Sequence, residues 1–264
     1  MTYDPAKDGA ESYNAALKAI RMQKIRDGEI IPIVREVTIG NCRLIQGDAE
    51  EVLRFLNQKF NIVTDPPYGI GADKGFEGFG GFGKPIARKQ YDGDWDDTRP
   101  SRAIFDCIIE HGENVVIFGG NYFTDLLPVG RHWFVWDKKN TMPTFSDCEL
   151  AWTNIDRKSV KLLTYEYNGL IGKREARVHP TQKPVEVMQW CIQKLPKSDA
   201  VILDCFSGSG TTGVACVKLG RKFIGIEKDP TYFDVMVKRI TDAYAQPDMF
   251  IAPPEPKPVQ EELL

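Results

Sequence analysis

The sequence predicts an α/β fold in which helices cover both faces of a largely parallel sheet. Short apolar runs, such as those at 114–118 and 200–203, have the length and composition of buried strands, and segments of helical periodicity lie between them. A glycine turn at 208–213 also joins an apolar run to a helix, which is typical of α/β folds that bind a ligand where a strand ends.

The individual elements follow in order from these patterns. Each strand candidate is a short apolar run, and each helix candidate is a longer segment of helical character. Helices are expected at 11–26, 49–57, 102–110, 122–127, 185–195, 211–219 and 230–244. Strands are expected at 43–48, where the run ends in a turn, and at 61–64, 114–118, 133–136, 200–203 and 222–226.

One domain is expected over residues 1–245, followed by a proline-rich, disordered tail at 246–264. Within the domain, residues 69–98 combine many glycines with little helix or strand propensity. A loop of this length in a compact domain is usually functional or disordered, so a mobile loop beside the site is predicted.

The composition of the chain limits the classes of protein to which it can belong. The net charge of −3 argues against binding nucleic acid through overall charge, so any such surface has to be local. Residues 156–183, with seven basic and three acidic side chains, are the candidate surface for nucleic acid.

No apolar run approaches the roughly 20 residues of a membrane-spanning helix, and a soluble, cytoplasmic protein is expected. The six cysteines form no metal-binding or disulfide pattern, so buried free thiols and no metal are expected.

The glycine turn Gly208-x-Gly210-x-x-Gly213 lies between a strand and a helix, where glycines let the backbone approach a ligand closely. Glu227, 17 residues after Gly210, is placed to hold ribose hydroxyls. These features alone also fit a nicotinamide or flavin enzyme, which stays an alternative. A phosphate-binding loop of nucleotide hydrolases is excluded because Val214 stands where lysine is required.

A second turn, Asp65-Pro66-Pro67-Tyr68, follows the strand candidate at 61–64. Methylation of an exocyclic amine requires acceptors around the NH2 protons and an aromatic face that holds the base. The Asp65 carboxylate and the Pro66 carbonyl are candidate acceptors, and Tyr68 is a candidate stacking surface. Pro66 and Pro67 stiffen the turn and so preorganise the acceptors.

Three motifs together resemble those of the amino-methylating DNA methyltransferases: Asp65-Pro-Pro-Tyr68, His179-Pro-Thr-Gln-Lys-Pro184 and Asp204-Cys-Phe-Ser-Gly-Ser-Gly-Thr-Thr212. The resemblance covers roughly residues 41–244. Because the catalytic turn precedes the glycine turn, the order resembles the circularly permuted beta group of that family.

The resemblance implies a Rossmann-like, S-adenosylmethionine-dependent methyltransferase fold, with seven strands of which one is reversed. It implies that S-adenosylmethionine, with no metal, is the cofactor and that S-adenosylhomocysteine is the product. Asp48 would reach the adenine amino group, Glu227 the ribose, and Lys183 the methionine carboxylate. The remaining implied cofactor contacts are Asp65, His179, Thr181, Asp204, Phe206, Ser207, Gly208, Ser209, Gly210, Thr211 and Thr212.

The implied substrate is double-stranded DNA, whose target base has to leave the duplex to reach Tyr68. Phosphate or base contacts are expected from the loop and from a small recognition insertion at 153–178, namely from Lys84, Arg88, Lys89, Arg157, Lys158, Arg174 and Arg177. Aspartate at position 65 favours adenine N6 as the target, and N4 of cytosine is the first alternative. An RNA acceptor stays open, as do a homodimer and a cognate restriction nuclease.

Overall fold

A computed structural model describes residues 5–71, 97–140, 146–166, 182–196 and 199–246, with side chains described from residue 15 onwards. The helices are α1 (Pro5–Arg26), α2 (Ala49–Leu56), α3 (Arg102–His111), α4 (Val185–Lys194), α5 (Thr211–Lys218) and α6 (Pro230–Ala245). The strands are β1 (Arg35–Ile39), β2 (Cys42–Gln46), β3 (Phe60–Thr64), β4 (Gly112–Phe118), β5 (Trp133–Asp137), β6 (Cys148–Thr153), β7 (Lys161–Thr164), β8 (Ile202–Asp204) and β9 (Phe223–Glu227).

The described strands form one sheet of nine, in the order β1-β2-β9-β8-β3-β4-β6-β5-β7. The seven strands from β2 to β5 are parallel except for the reversed β6, as predicted. The prediction of seven strands in total was too low, because β1 and β7 extend the two edges. Both edge strands are largely exposed on one side and lack the continuous apolar run that marks a buried strand.

Helices pack on both faces of the sheet. Side chains of α4, α5 and α6 share one apolar core with one face of the sheet, and side chains of α2 and α3 share a second core with the other face. Helix α1 packs against α2, to which Lys18 and Arg21 form ion pairs with Glu50 and Glu51. The predicted α/β architecture is therefore confirmed.

Four neighbouring parallel strands carry an acidic residue at or just beyond their carboxyl ends. In sheet order these are Asp48 after β2, Glu227 of β9, Asp204 of β8 and Asp65 after β3. In open α/β sheets, ligands bind in the crevice outside the carboxyl ends of the strands. The sheet thus brings side chains from distant parts of the sequence to one edge, which we call the site edge.

Two local predictions were wrong. The helix expected at 122–127 is a short 3-10 helix at Gly120–Tyr122 followed by a turn at Phe123, because glycines precede it and Pro128 ends it after too few residues. Cys148 is exposed on β6, whereas the other five cysteines are buried and free as expected. Among the described residues, no helix has both the length and the apolar character needed to span a membrane.

Candidate active site

The turn after β3 is held by contacts to the Asp65 carboxylate. The Tyr68 hydroxyl donates to Oδ1 of Asp65 at 2.6 Å, and Lys183 Nζ donates to Oδ2 at 2.6 Å. Lys183 Nζ also lies 3.3 Å from the Tyr68 hydroxyl oxygen. A carboxylate has about four lone-pair sites, so Asp65 retains the capacity to accept a further hydrogen bond.

Lys183 lies at the entry to α4 and its side chain is only 7 % exposed. Its ammonium group also forms an ion pair with Glu149 of β6, at 3.1 Å. Glu149 in turn pairs with Lys138, which follows β5, at 2.5 Å. The resemblance implies that Lys183 contacts the methionine carboxylate, whereas in the structure its ammonium group contacts Asp65 and Glu149, two side chains that no sequence motif connects with it.

The charges in this cluster have opposing effects on one another. Burial raises the pKa of Asp65, and the Lys183 ammonium only partly opposes that shift. Burial would also raise the pKa of Glu149, but the ammonium groups of Lys183 and Lys138 together outweigh it, so that pKa is lowered. Burial acts to lower the pKa of Lys183, whereas Asp65 and Glu149 raise it and keep the amine charged.

The ring of Tyr68 stacks on Tyr122, with 4.8 Å between ring centroids and an interplanar angle of 17°. Phe123 contacts the same ring edge-on at 6.0 Å. Gly119, at φ +66°, leaves room for it: a Cβ there would lie 2.2 Å from Cε1 of Tyr68. Since Tyr122 covers one face of Tyr68, a base that stacks on this ring has to use the opposite face.

The predicted glycine turn forms between β8 and α5. Gly208 and Gly210 have φ values of +49° and +80°, a region that favours glycine. A Cβ at Gly210 would also come within 2.7 Å of Met236 on α6. The Ser209 and Thr211 side chains accept hydrogen bonds from Arg239 of α6, which fixes the turn to that helix.

Asp204, the last residue of β8, joins the two turns. Its carboxylate accepts hydrogen bonds from Thr64 Oγ1 at 2.7 Å, Thr212 Oγ1 at 2.5 Å and the Phe206 backbone amide at 3.1 Å. Burial raises the pKa of Asp204 to about 6, and these donors oppose the shift. Because Thr64 immediately precedes Asp65, this carboxylate connects the proline turn to the glycine turn.

Glu227 and Asp48 mark the other end of the site. The Glu227 carboxylate accepts from the Gly208 amide at 2.7 Å and the Asp229 amide at 2.8 Å, and burial raises its pKa to about 7. Asp48 caps α2 by accepting from the amides of Glu50 and Glu51, and it pairs with the exposed Lys228 at 3.6 Å. Both residues line the same cavity.

A cavity of about 790 Å³ runs along the site edge and is lined by the glycine turn and by Asp65 of the proline turn, whereas the predicted catalytic residues Pro66 and Tyr68 lie beside it and do not line it. Of the predicted cofactor residues that the structure describes, all but Gly210 line it: Asp48, Asp65, Lys183, Asp204, Phe206, Ser207, Gly208, Ser209, Thr211, Thr212 and Glu227. Pro67 of the catalytic turn also lines it, and Met22 of α1 adds an apolar wall that the sequence did not indicate. Within the described part of the chain, no cluster of His, Cys, Asp and Glu side chains is suited to a metal ion.

Several predicted residues fall outside the described ranges: His179, Thr181, Lys84, Arg88, Lys89, Arg174 and Arg177. The described residues on either side of 167–181 lie at the site edge. Strand β7 runs parallel to β5 toward that edge, and Gln182 lines the cavity. Arg157 and Lys158 are exposed and follow β6, which runs away from the site edge. They therefore lie at the opposite edge of the sheet from Asp65.

Sequence comparison identifies relatives of this chain. Residues 135–238 match the family model described as DNA methylase. The chain is 35 % identical over 130 residues to the type II methyltransferase M2.LlaDCHI of Lactococcus lactis subsp. cremoris, a match covering 40 % of this chain and 48 % of the relative. It is 33 % identical over 124 residues to the type II methyltransferase M2.MboI of Moraxella bovis, covering 46 % of this chain and 44 % of the relative. The match thus spans about half the length of these relatives.

Two solved structures share the fold. The M1.HpyAVI–SAM complex aligns with a TM-score of 0.51 at 23 % identity, covering 75 % of this chain and 98 % of that chain. The PvuII DNA methyltransferase, described as cytosine-N4-specific, aligns with a TM-score of 0.51 at 17 % identity, covering 81 % and 95 %. Residues 135–238 are therefore similar to DNA methylases, and the chain shares the fold of these two solved structures.

Proposed function

We propose that this protein transfers a methyl group from S-adenosylmethionine to the exocyclic amine of a base in double-stranded DNA, with adenine N6 as the target. The observation that carries the proposal is the single cavity lined by both Asp65 and Glu227. One end of that cavity has the acceptor that an amine needs, and the other has the carboxylate that a ribose needs. The family match covers the glycine turn but not Asp65. The position of Asp65 in the same cavity as Glu227 is therefore support that is independent of that match.

The cofactor assignment is supported by residues of this chain. Glu227 would bind the ribose hydroxyls, and Asp48 at the end of β2 would bind the adenine amino group. The bends at Gly208 and Gly210 would pass beside the methionine part. S-adenosylmethionine supplies an electrophilic methyl group on a sulfonium. A similar fold is seen in the M1.HpyAVI–SAM complex.

In the proposed reaction, the base leaves the duplex and stacks on the face of Tyr68 turned away from Tyr122. The Asp65 carboxylate and the Pro66 carbonyl accept hydrogen bonds from the NH2 group, and this directs the nitrogen lone pair at the methyl carbon. The new N–C bond forms as the S–C bond breaks, which leaves a neutral thioether and a positively charged nitrogen. That nitrogen then gives one proton to the Asp65 carboxylate, whose raised pKa favours this step.

The choice of adenine rests on aspartate at position 65, which the family resemblance associates with N6 rather than N4 methylation. The permuted arrangement rests on the motif order, with Asp65 before Gly208 in the sequence. The match to two type II methyltransferases supports a role in a restriction-modification system.

Tritium transfer from labelled S-adenosylmethionine to duplex DNA, compared with transfer to RNA, tests the proposal. We expect label in DNA, and in deoxyadenosine after digestion to nucleosides. Label only in RNA would overturn the DNA assignment, and label in deoxycytidine would overturn the adenine assignment. Binding of S-adenosylhomocysteine but not of a nicotinamide dinucleotide would exclude an oxidoreductase that uses the same glycine turn.

A further inference from the structure

Four side chains of alternating charge form an ion chain behind the proline turn: Asp65, Lys183, Glu149 and Lys138. The three contacts between them measure 2.6, 3.1 and 2.5 Å in that order. The side chains of Asp65, Glu149 and Lys138 are each 19–20 % exposed, and that of Lys183 is 7 % exposed. Lys138 follows β5 and Glu149 belongs to the neighbouring strand β6, whereas Asp65 and Lys183 are distant from them in sequence, so the fold brings the ion chain together.

Lys183 is held on several sides. Besides the two carboxylates, the rings of Phe118 and Tyr68 lie 5.2 and 5.5 Å from its ammonium group. Moving an ammonium group out of water costs several kcal/mol unless opposite charges and hydrogen bonds compensate for the lost hydration. Asp65 alone offers one contact, at Oδ2, and Glu149 supplies the second negative charge.

We infer that Lys183 and Glu149 are positioning residues for Asp65: Lys183 fixes the orientation and the negative charge of the Asp65 carboxylate, and Glu149 holds Lys183 in place. This inference rests on the proposed function, because it assigns the ion chain to the residue that receives the target amine. Lys138 completes the arrangement by balancing the charge of Glu149.

The two carboxylates of the ion chain differ in the number of ammonium groups that they contact. Glu149 contacts two of them, whereas Asp65 contacts one, and Glu149 itself repels the charge on Asp65. The directions of the pKa shifts agree, since that of Glu149 is lowered and that of Asp65 is raised. Asp65 is therefore the carboxylate of the pair that protonates first as the pH falls.

Opposite substitutions should therefore have opposite effects. Lys183→Met removes the cation and leaves two carboxylates facing each other, so the pKa of Asp65 should rise. Glu149→Gln removes the repelling charge and leaves Lys183 to Asp65 alone, so the pKa of Asp65 should fall. Among the described residues, the other ionisable groups near the ion chain are Tyr68, Tyr122, Asp204 and the Cys191 thiol of α4, and they are the same in every variant.

The test is the pH profile of methyl transfer at saturating cofactor and DNA. Because the ionised form of Asp65 is required, activity falls as the pH drops through its pKa. We expect the acid limb to move up by about one unit or more in Lys183→Met, the size of shift that one nearby charge produces. It should move down in Glu149→Gln and return toward the wild-type position in the double variant. Lys183→Arg, which keeps the charge, should lie closest to wild type.

Lys238→Met is the matched control, since Lys238 pairs with Asp242 on the exposed surface of α6. Its profile should equal that of wild type. An unshifted acid limb in both Lys183→Met and Glu149→Gln, with only lower rates, would show a purely structural role and overturn the inference. If Lys183→Met does not fold, the downward shift in Glu149→Gln decides.

A second readout separates this inference from the proposed function. Carbon-13 NMR of carboxyl-labelled aspartate follows the ionisation of Asp65 without turnover, and the resonance is identified by its loss in Asp65→Asn. If wild type methylates no nucleic acid, the proposed function fails, and the NMR titrations still show whether Lys183 and Glu149 set the charge of Asp65. Equal Asp65 titrations in wild type and both single variants would overturn the inference.

Discussion

Thr64 Oγ1 donates a 2.7 Å hydrogen bond to Oδ1 of Asp204, and both residues are buried. Each is the last residue of its strand: Thr64 ends β3 before the proline turn, and Asp204 ends β8 before the glycine turn. The two strands are parallel neighbours. This bond therefore links the proposed methyl acceptor region to the proposed cofactor region at the point where both leave the sheet.

Thr64→Val should lower the free energy of unfolding by about 1.5–3 kcal/mol, the usual value of a hydrogen bond to a charged group. Valine has the same shape but leaves a buried carboxylate with one donor fewer. Urea unfolding of the variant measures the effect. Thr38→Val on the exposed edge strand β1 is the control and should change stability by less than about 0.5 kcal/mol. Equal effects in the two variants would contradict this role for Thr64.

Cofactor affinity should depend on the charge of Glu227. Burial raises its pKa to about 7, so the free protein carries a partly protonated carboxyl at neutral pH. Ribose hydroxyls donate to the carboxylate, so ligand binding favours the ionised form. The Kd of S-adenosylhomocysteine should thus be lowest above pH 7 and rise about tenfold per unit once the pH is well below 7.

Isothermal titration calorimetry between pH 5.5 and 8.5 measures this dependence. Glu227→Gln cannot ionise, so its weaker binding should be nearly independent of pH. A wild-type profile as flat as that of Glu227→Gln would argue against Glu227 as the ribose ligand.

Gly119→Ala should impair methyl transfer by displacing Tyr68, because the added Cβ would lie 2.2 Å from Cε1 of that ring. We expect activity to fall at least about tenfold, since small misplacements of reacting groups are costly. Cofactor binding should stay within a few-fold of wild type. The assay is methyl transfer together with S-adenosylhomocysteine binding.

Gly220→Ala provides the matched control for backbone strain. Gly220 has a φ of +63°, close to the +66° of Gly119, but a Cβ there would meet nothing within 4 Å. Both variants should lose about 1–2 kcal/mol of stability from the left-handed conformation. Gly220→Ala should nevertheless keep its activity. Equal losses of activity in the two variants would rule out a specific effect on Tyr68.

DNA binding should depend more on Arg174 and Arg177 than on Arg157 and Lys158. The described residues on both sides of 167–181 lie at the site edge, whereas 157–158 lie at the opposite edge of the sheet. The Arg174→Ala/Arg177→Ala variant should bind duplex DNA more weakly, with a shallower dependence of affinity on salt. Fluorescence anisotropy at several salt concentrations checks this, and a larger effect from Arg157→Ala/Lys158→Ala would contradict it.

Much of this site could be predicted because its parts are local in sequence. Asp65-Pro66-Pro67-Tyr68 and the turn at Gly208 each combine a strand end with residues that only a tight turn requires, and the described structure forms both turns. The parallel sheet then brings the strand ends together, which follows from the α/β pattern alone.

The ion chain could not be predicted in the same way. Glu149 and Lys138 flank no recognisable motif, and β6 was not expected, so nothing in the sequence indicated that Glu149 would face Lys183. Their contact depends on β6 running antiparallel between β4 and β5, which is a tertiary relationship. Sequence similarity assigned Lys183 to a ligand, and only the structure showed its contact with Asp65.

The most direct measurement is the nucleoside composition of DNA from cells that express this protein, compared with cells that express Asp65→Ala at the same level. We expect N6-methyldeoxyadenosine with the wild-type protein and only background levels with Asp65→Ala, even though the purified variant should bind S-adenosylhomocysteine within a few-fold of wild type. Equal methylation by both proteins would contradict the role of Asp65, and no added methylated base with the wild-type protein would contradict the proposed reaction.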